Sequence, residues 1–348
     1  MELSGTILRG PDFDPIAGRG VIEEGTIVAV EESAADASDD IVLPAFVNAH
    51  THVGDSLAKG AGRGLDLDEL VAPPDGLKHR LLREADEAET IEAMRRSLRY
   101  MQRGGTGAFL DFREGGVAGV EALREAATGL DIEVVAFGRG EPAVLEVAEG
   151  FGASGARDDD FDALRAAARD AGKPFGIHAG ERDAEDVDPA LDLDPDHLVH
   201  MVHAEADHLD RVSETATPIV ACPRSNLVTG VGLPPLRDLV DHTTVALGTD
   251  NVMLNGPSMF REMAFAAKCC DVTDETVLRM ATRNGARVAG LDGSVIEGGA
   301  PARLLVLDGD SDNLAGAQDP VRAVVRRAGV NDVKRVVLPS GDAGVDGA

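Results

Sequence analysis

The chain has 348 residues, is 43% hydrophobic, and carries 62 acidic against 33 basic side chains, for a formal charge of −29. That length buries one large core plus a smaller satellite, so strong an acidic field opposes nucleic acid as a partner, and apolar periodicity running almost end to end excludes an acidic disordered binder. No stretch approaches 18 uninterrupted apolar residues, and Met1-Glu2-Leu3-Ser4-Gly5 has neither the basic start nor the apolar core of a secretion signal, so the expectation is a cytoplasmic protein with no membrane partner.

The acidic residues are spread along the chain, and the only lysines are Lys59, Lys78, Lys173, Lys268 and Lys334. Such a surface repels itself in dilute buffer and is screened at molar salt, where the Debye length is about 3 Å. The composition therefore predicts a halophilic protein adapted to a salt-rich cytoplasm. Cys222, Cys269 and Cys270 form no metal-ligand spacing, which fits a reducing compartment.

In chain order, residues 1–43 read as strands at Leu3–Leu8, Val21–Glu23 and Thr26–Glu31 around the turn Glu24-Gly25. Eight strand-like runs follow: Phe46–His52, Thr106–Phe112, Ile132–Gly138, Glu149–Gly152, Pro174–Glu181, His197–Ala204, Pro218–Asn226 and Thr243–Asn251. Amphipathic stretches separate them, such as Ala88, Ile91, Met94, Leu98 and Met101, stopped by Gly104-Gly105. Strict strand–helix alternation predicts an α/β fold, a (β/α)8 barrel over residues 44–294. Residues 53–83 make an unusually long connection, of the kind used as a lid or binding segment. The end of the chain reads as strands at Arg303–Leu307, Ala323–Arg327 and Lys334–Leu338. Neither terminus has enough apolar residues for its own core, so residues 1–43 and 295–348 are expected to pair into one small β-sandwich beside the barrel.

Barrel enzymes place their chemistry at the carboxyl ends of the strands. The first strand ends in His50-Thr51-His52, two imidazoles on the same face of a strand. The fifth ends in His178-Ala179-Gly180-Glu181, the sixth contains His200 and His203, and the eighth ends in Gly248-Thr249-Asp250. Three imidazoles and a carboxylate suit one Zn²⁺ or Fe²⁺ with a position left for water, whose pKa falls towards ~7. Glu181, three residues beyond His178, reaches that water only if the chain has already turned, and Gly180 permits the turn. A carboxylate there takes a proton from water and delivers it to a ring nitrogen or leaving amine. Of His200 and His203, three apart, His200 is taken as the inward residue. Arg113, Arg139 and Arg224 near other strand ends suit a charged substrate tail, and Asn226 suits the edge of a heterocycle.

Together, Pro44-Ala45-Phe46-Val47-Asn48-Ala49-His50-Thr51-His52, His178-Ala179-Gly180-Glu181, His200 in Leu198-Val199-His200-Met201-Val202-His203, Cys222-Pro223-Arg224-Ser225-Asn226 and Leu247-Gly248-Thr249-Asp250 resemble the amidohydrolase superfamily. Within it they are similar to the cytosine deaminase, adenosine deaminase and triazine hydrolase branch, here in a form expected of a haloarchaeon. The resemblance implies a metal held by His50, His52, His178 and Asp250, with Glu181, His200 and Asp250 as the catalytic groups. Ala45 stands where the family usually has Gly, which is tolerated if φ is negative there. Other branches bridge two metals with a carbamylated lysine at the end of the fourth strand; no lysine lies there, so one ion is expected, zinc first and iron second. The pattern His203-Ala204-Glu205 with Cys222-Pro223 fails as a small zinc deaminase motif, because the order is Cys-Pro and no second cysteine follows at that spacing. The resemblance implies a hydrolase of non-peptide C–N bonds: a hydrolytic deaminase of a purine-, pyrimidine-, pterin- or nucleoside-like small molecule. The alternatives are cleavage of a cyclic amide or other leaving group on a similar ring, and a catalytically silent metal-binding scaffold. A homo-oligomer is compatible with the sequence.

Overall fold

A computed structural model of the protein describes residues 1–35 and 37–339. Its larger sheet is wholly parallel and runs in the order Val245–Leu247, Ile219–Ala221, His197–His200, Phe175–Ala179, Gly150–Ala153, Glu133–Gly138, Thr106–Arg113, Phe46–His52, Asp250–Asn251. The first and last segments are two pieces of one strand parted by Gly248-Thr249. The lower piece pairs with Ile219–Ala221, while Asp250 and Asn251 pair with Thr51 and His52, so the eighth strand closes the ring against the first. Gly248 is required at the gap, since a Cβ there would lie 2.7 Å from that of His50.

Alternate strand residues fall into two apolar layers. Ala108, Leu110, Phe112, Val135, Phe137, Val199 and Val220 form one, and Phe109, Ala136, Leu198 and Ile219 belong to the other, the period of two that a strand imposes. The Phe112 ring meets those of His50 and His178, with centroids 4.7 and 5.1 Å away. The layer that includes Phe112 therefore fills the barrel interior beneath those histidines, and the other packs against the helices.

Three predicted strands end sooner than the sequence indicates, and each early end serves the top of the barrel. The fifth stops at Ala179, where Gly180 adopts φ +63°. The sixth stops at His200, itself at φ +80° and followed by Met201 at +52°. The seventh stops at Ala221, and Pro223–Thr229 is a helix with proline in its first turn, where no amide hydrogen is needed.

The termini build one six-stranded sheet in the order Val333–Val337, Leu304–Leu307, Ile41–Pro44, Glu2–Arg9, Asp14–Glu23, Thr26–Glu32. It is antiparallel except where Ile41–Pro44 meets Glu2–Arg9. Its outer end returns to the chain at Pro301, which bridges Thr26, and it encloses a satellite core that includes Ile7, Ile16, Ile22, Ile27, Val42, Leu304 and Val306. The predicted strand Ala323–Arg327 is corrected: Pro320–Arg326 is a helix, capped by Asp319 accepting from the Arg322 amide, with Val321, Val324 and Val325 buried at helical spacing in the main core. The connection after the first strand folds over the barrel mouth as a 3₁₀ turn at Val53–Ala58 and helices at Leu67–Val71 and Leu77–Glu84. Ala45 is absent from the left-handed backbone positions, so its methyl group is accommodated. Among the described residues no helix is long and apolar enough to cross a membrane.

Candidate active site

Four side chains converge at the closed end of the mouth. His178 Nε2 lies 3.3 Å from His50 Nε2 and 3.4 Å from His52 Nε2, while Asp250 Oδ1 lies 3.4 and 3.6 Å from the same two nitrogens. All but His178 are almost wholly buried. Nδ1 of His178 is 2.7 Å from the Ala153 carbonyl and Nδ1 of His52 is 3.0 Å from that of Phe112. A carbonyl can only accept, so both rings carry their proton on Nδ1 and turn the Nε2 lone pair inward.

Burial, the largest influence, lowers the pKa of His50 and His52 to about 4 and that of His178 well below the usual histidine value. Asp250 sits well below the usual carboxylate range: the histidines, led by the hydrogen bond from His50, outweigh the burial that opposes ionisation. Neutral imidazoles aimed at one point beside an ionised carboxylate make a donor set that fits a divalent cation. Asp250 Oδ2 is occupied by the Ser225 hydroxyl at 2.6 Å, and Asn251 Nδ2 donates to Oδ1 at 3.0 Å.

Glu181 and His200 stand next to this cluster. Glu181 Oε2 is 3.5 Å from His200 Nε2, and both come within metal-ligand reach of Asp250. Strand alternation places Val199 in the interior and would send His200 outward, but the left-handed turn at His200 brings it to the site. Asn226 Nδ2 lies 2.9 Å from His200 Nδ1 and donates to Glu181 Oε1 at 3.4 Å. With the amide donating, Nδ1 accepts and His200 presents its Nε2–H to the site. Burial raises the Glu181 pKa, against the pull of His200.

The cavity above the cluster is lined by His52, His178, Glu181, His200 and Asp250 together with Leu67, Val71 and Lys78 from the long connection and Arg139 from the third strand end. Two of the three arginines anticipated from sequence do not line it. Arg113 is buried behind it, with Nε donating to the Gly119 carbonyl and Nη1 3.5 Å from Glu114. Arg224 turns to Glu262, Asn255 and the Gly256 carbonyl and so ties down the helix that carries Ser225 and Asn226. Asn226 is wholly buried behind His200 and is not part of the lining. His203 lies outside this cavity, in a shallow groove with Asp66 and Arg182. Sequence reasoning passed over Lys78, Glu114 and the individual contact of Ser225. Lys78 had one available signal: a lysine kept in a chain that has almost none.

A model of the amidohydrolase family matches residues 41–342. The chain is 36% identical, across 96% of both proteins, to a protein of Methanothermobacter thermautotrophicus that carries the provisional name of an aminohydrolase. It is 30% identical to the 5-methylthioadenosine/S-adenosylhomocysteine deaminase of Haloarcula marismortui, over 90% of this chain and 85% of that one. Atrazine chlorohydrolase of Arthrobacter aurescens, solved with zinc, shares the fold with a TM-score of 0.81 at 20% identity, over 100% of this chain and 97% of its own.

Proposed function

Because the chain belongs to the amidohydrolase family, we propose that it is a metal-dependent hydrolytic deaminase, replacing an amino group on a small nitrogen heterocycle with oxygen and releasing ammonia. The meeting of three histidine Nε2 atoms with Asp250 Oδ1, beside Glu181 and His200, carries this reading. His50, His52, His178 and Asp250 would hold the ion, for which zinc is our choice. When bound, such an ion supplies Lewis acidity that lowers the pKa of a water molecule.

The protein's own groups do the rest. Glu181, with its pKa raised by burial, accepts one proton of the attacking water and delivers it to the ring nitrogen, then takes the proton of the hydroxyl added to the ring carbon and delivers it to the amine, which departs as ammonia as the C–N bond breaks. His200 donates its Nε2–H toward oxygen charge developing on the substrate. Ser225 fixes the free oxygen of Asp250, and Arg139 at the cavity wall engages a polar part of the substrate. The barrel, residues 44–294, is the catalytic unit in this reading, and residues 1–43 with 295–348 form its support. Similarity to a deaminase over most of the chain supports the choice of reaction.

An ammonia-release screen of amino-purines, -pyrimidines, -pterins and their nucleosides, run in molar KCl with zinc-loaded protein, tests the proposal. Turnover of one such class is expected, with about one equivalent of metal per chain and a large loss of both metal and turnover in Asp250→Ala. Metal retained at one equivalent with no ammonia from any compound would overturn it.

A further inference from the structure

Lys78 is only 2% exposed, yet it lines the cavity beside His52, Asp250 and Asn251. Its Nζ makes an ion pair with Glu114 Oε1 at 2.6 Å and donates to Asn251 Oδ1 at 3.1 Å. An ammonium group has three N–H donors, and these two contacts leave one. The charge around it is also uneven. Glu114 is shared among Lys78, Arg113 at 3.5 Å, Arg139 at 3.6 Å and the His52 ring at 3.0 Å, one carboxylate facing an amine and two guanidinium groups.

The acids that line the rest of the cavity have other partners: Asp158 accepts from the Gly155 amide and Asp186 from the Gly180 amide, while Asp250 and Glu181 face the histidines. Asp111 accepts from Thr51 and the Val53 amide and Asp55 from the Met253 amide, both buried behind the wall, and burial raises the pKa of each. The remaining arginines of the cavity have acids of their own: Arg157 pairs with Asp183 and Glu185, and Arg182 with Asp68. At the inner end of the cavity Lys78 and Arg139 therefore share Glu114, and Lys78 keeps one N–H beyond its two contacts.

We propose that Lys78 is a substrate-binding residue that, with Arg139, selects amino-heterocycles bearing an anionic oxygen group, a carboxylate or a phosphate. The assignment rests on the deaminase reading for the heterocycle, and on the spare Lys78 N–H beside Arg139 for the anion. Both are separable by experiment. Isothermal calorimetry on the zinc-loaded protein in molar KCl compares cytosine with 5-carboxycytosine, and adenosine with adenosine 5′-carboxylic acid and adenosine 5′-monophosphate. The anionic member of at least one set should bind roughly 10–100-fold more tightly, the scale of one charge-assisted hydrogen bond in a buried setting. The preference should survive high salt, because buried pairs are screened little. The carboxylate and phosphate arms identify which anion fits.

Lys78→Met should erase the preference, while Glu114→Gln, which removes the competing carboxylate, should keep or increase it. The preference is a ratio within each variant, so a change in overall stability does not imitate it. No preference for any anionic member in the wild type, an unchanged preference in Lys78→Met, or a collapse of the preference in Glu114→Gln overturns the assignment. Anion preference without ammonia release from any compound would instead count against the deaminase reading alone, and ammonia release confined to the neutral members would count against Lys78 alone.

Discussion

Glu181 illustrates how little separates a ligand from a base in such a cluster. Its carboxylate comes within metal-ligand reach of Asp250 and His200, so geometry alone allows either part. Glu181→Gln distinguishes them, because the amide keeps shape and hydrogen bonding but loses the base. Turnover is expected to fall by roughly 10²–10⁴-fold with metal content unchanged by elemental analysis; loss of the metal would make Glu181 a ligand. His197, three residues before His200 on the same strand, has a different consequence. It is wholly buried between Phe112 and Phe137, its Nε2 has no hydrogen-bond partner, and burial lowers its pKa to about 4. The unfolded chain protonates this histidine below about 6.5 while the folded one resists until about 4. His197 therefore costs stability progressively as pH falls through that window, up to about 3 kcal/mol, and costs nothing above it. The stability difference between His197→Leu and wild type, from urea unfolding, should move in favour of the variant between pH 7 and pH 4.5. A difference that stays constant with pH would mean that the ring takes up its proton in the folded state.

At the scale of elements, the short helix Pro223–Thr229 organises the site from behind. Its Ser225 reaches Asp250 and its Asn226 reaches His200 and Glu181, while Arg224 anchors it to the wholly buried Glu262 on the helix Met259–Cys269. Burial pushes Glu262 up to about 7 against the pull of Arg224. Breaking the pair by Arg224→Met should cost on the order of 3–5 kcal/mol in denaturant unfolding, and the double variant Arg224→Met/Glu262→Met should recover most of it. A single variant as stable as wild type would show that the pair does not anchor the helix. This helix also marks the limit of what the sequence discloses. The meeting of His50, His52, His178 and Asp250 was legible because a strand's period of two and the barrel's open end fix where strand-end side chains go. The apolar run through Cys222 reads as continued strand, and only tertiary packing turns it into a helix after three strand residues. Ala323–Arg327 was misread for the related reason that short valine-rich runs fit both periods until a cap such as Asp319 decides. The pairing of Lys78 with Glu114 was beyond reach because the two meet only when the long first connection folds over the mouth.

Across the whole molecule, the surplus of acid governs how the protein responds to its solvent. Ion pairs among exposed residues recur over the surface, such as Arg96 with Glu92 and Arg211 with Asp188 and Asp192, but 33 basic residues cannot match 62 acids. Self-repulsion is expected to loosen the fold when screening is removed. The thermal midpoint should rise steadily as KCl increases into the molar range, whereas a flat midpoint would remove the halophilic interpretation.

The gap in the eighth strand gives the ring closure one more property. Across Gly248-Thr249, Asn48 stands in for the missing ladder: its Nδ2 donates to Thr249 Oγ1 at 2.7 Å and its Oδ1 accepts from the Thr249 amide at 3.0 Å. The two residues that follow, Asp250 and Asn251, are the last contact between the final barrel strand and the first. One buried amide thus acts as a register pin. A slip of a single residue would carry Thr249 or Asn251 to the place of Asp250 and turn its carboxylate to the opposite face. In this barrel the alignment that completes the sheet and the alignment that brings Asp250 to the histidines are one degree of freedom, so a misclosed ring would also lose the proposed metal site.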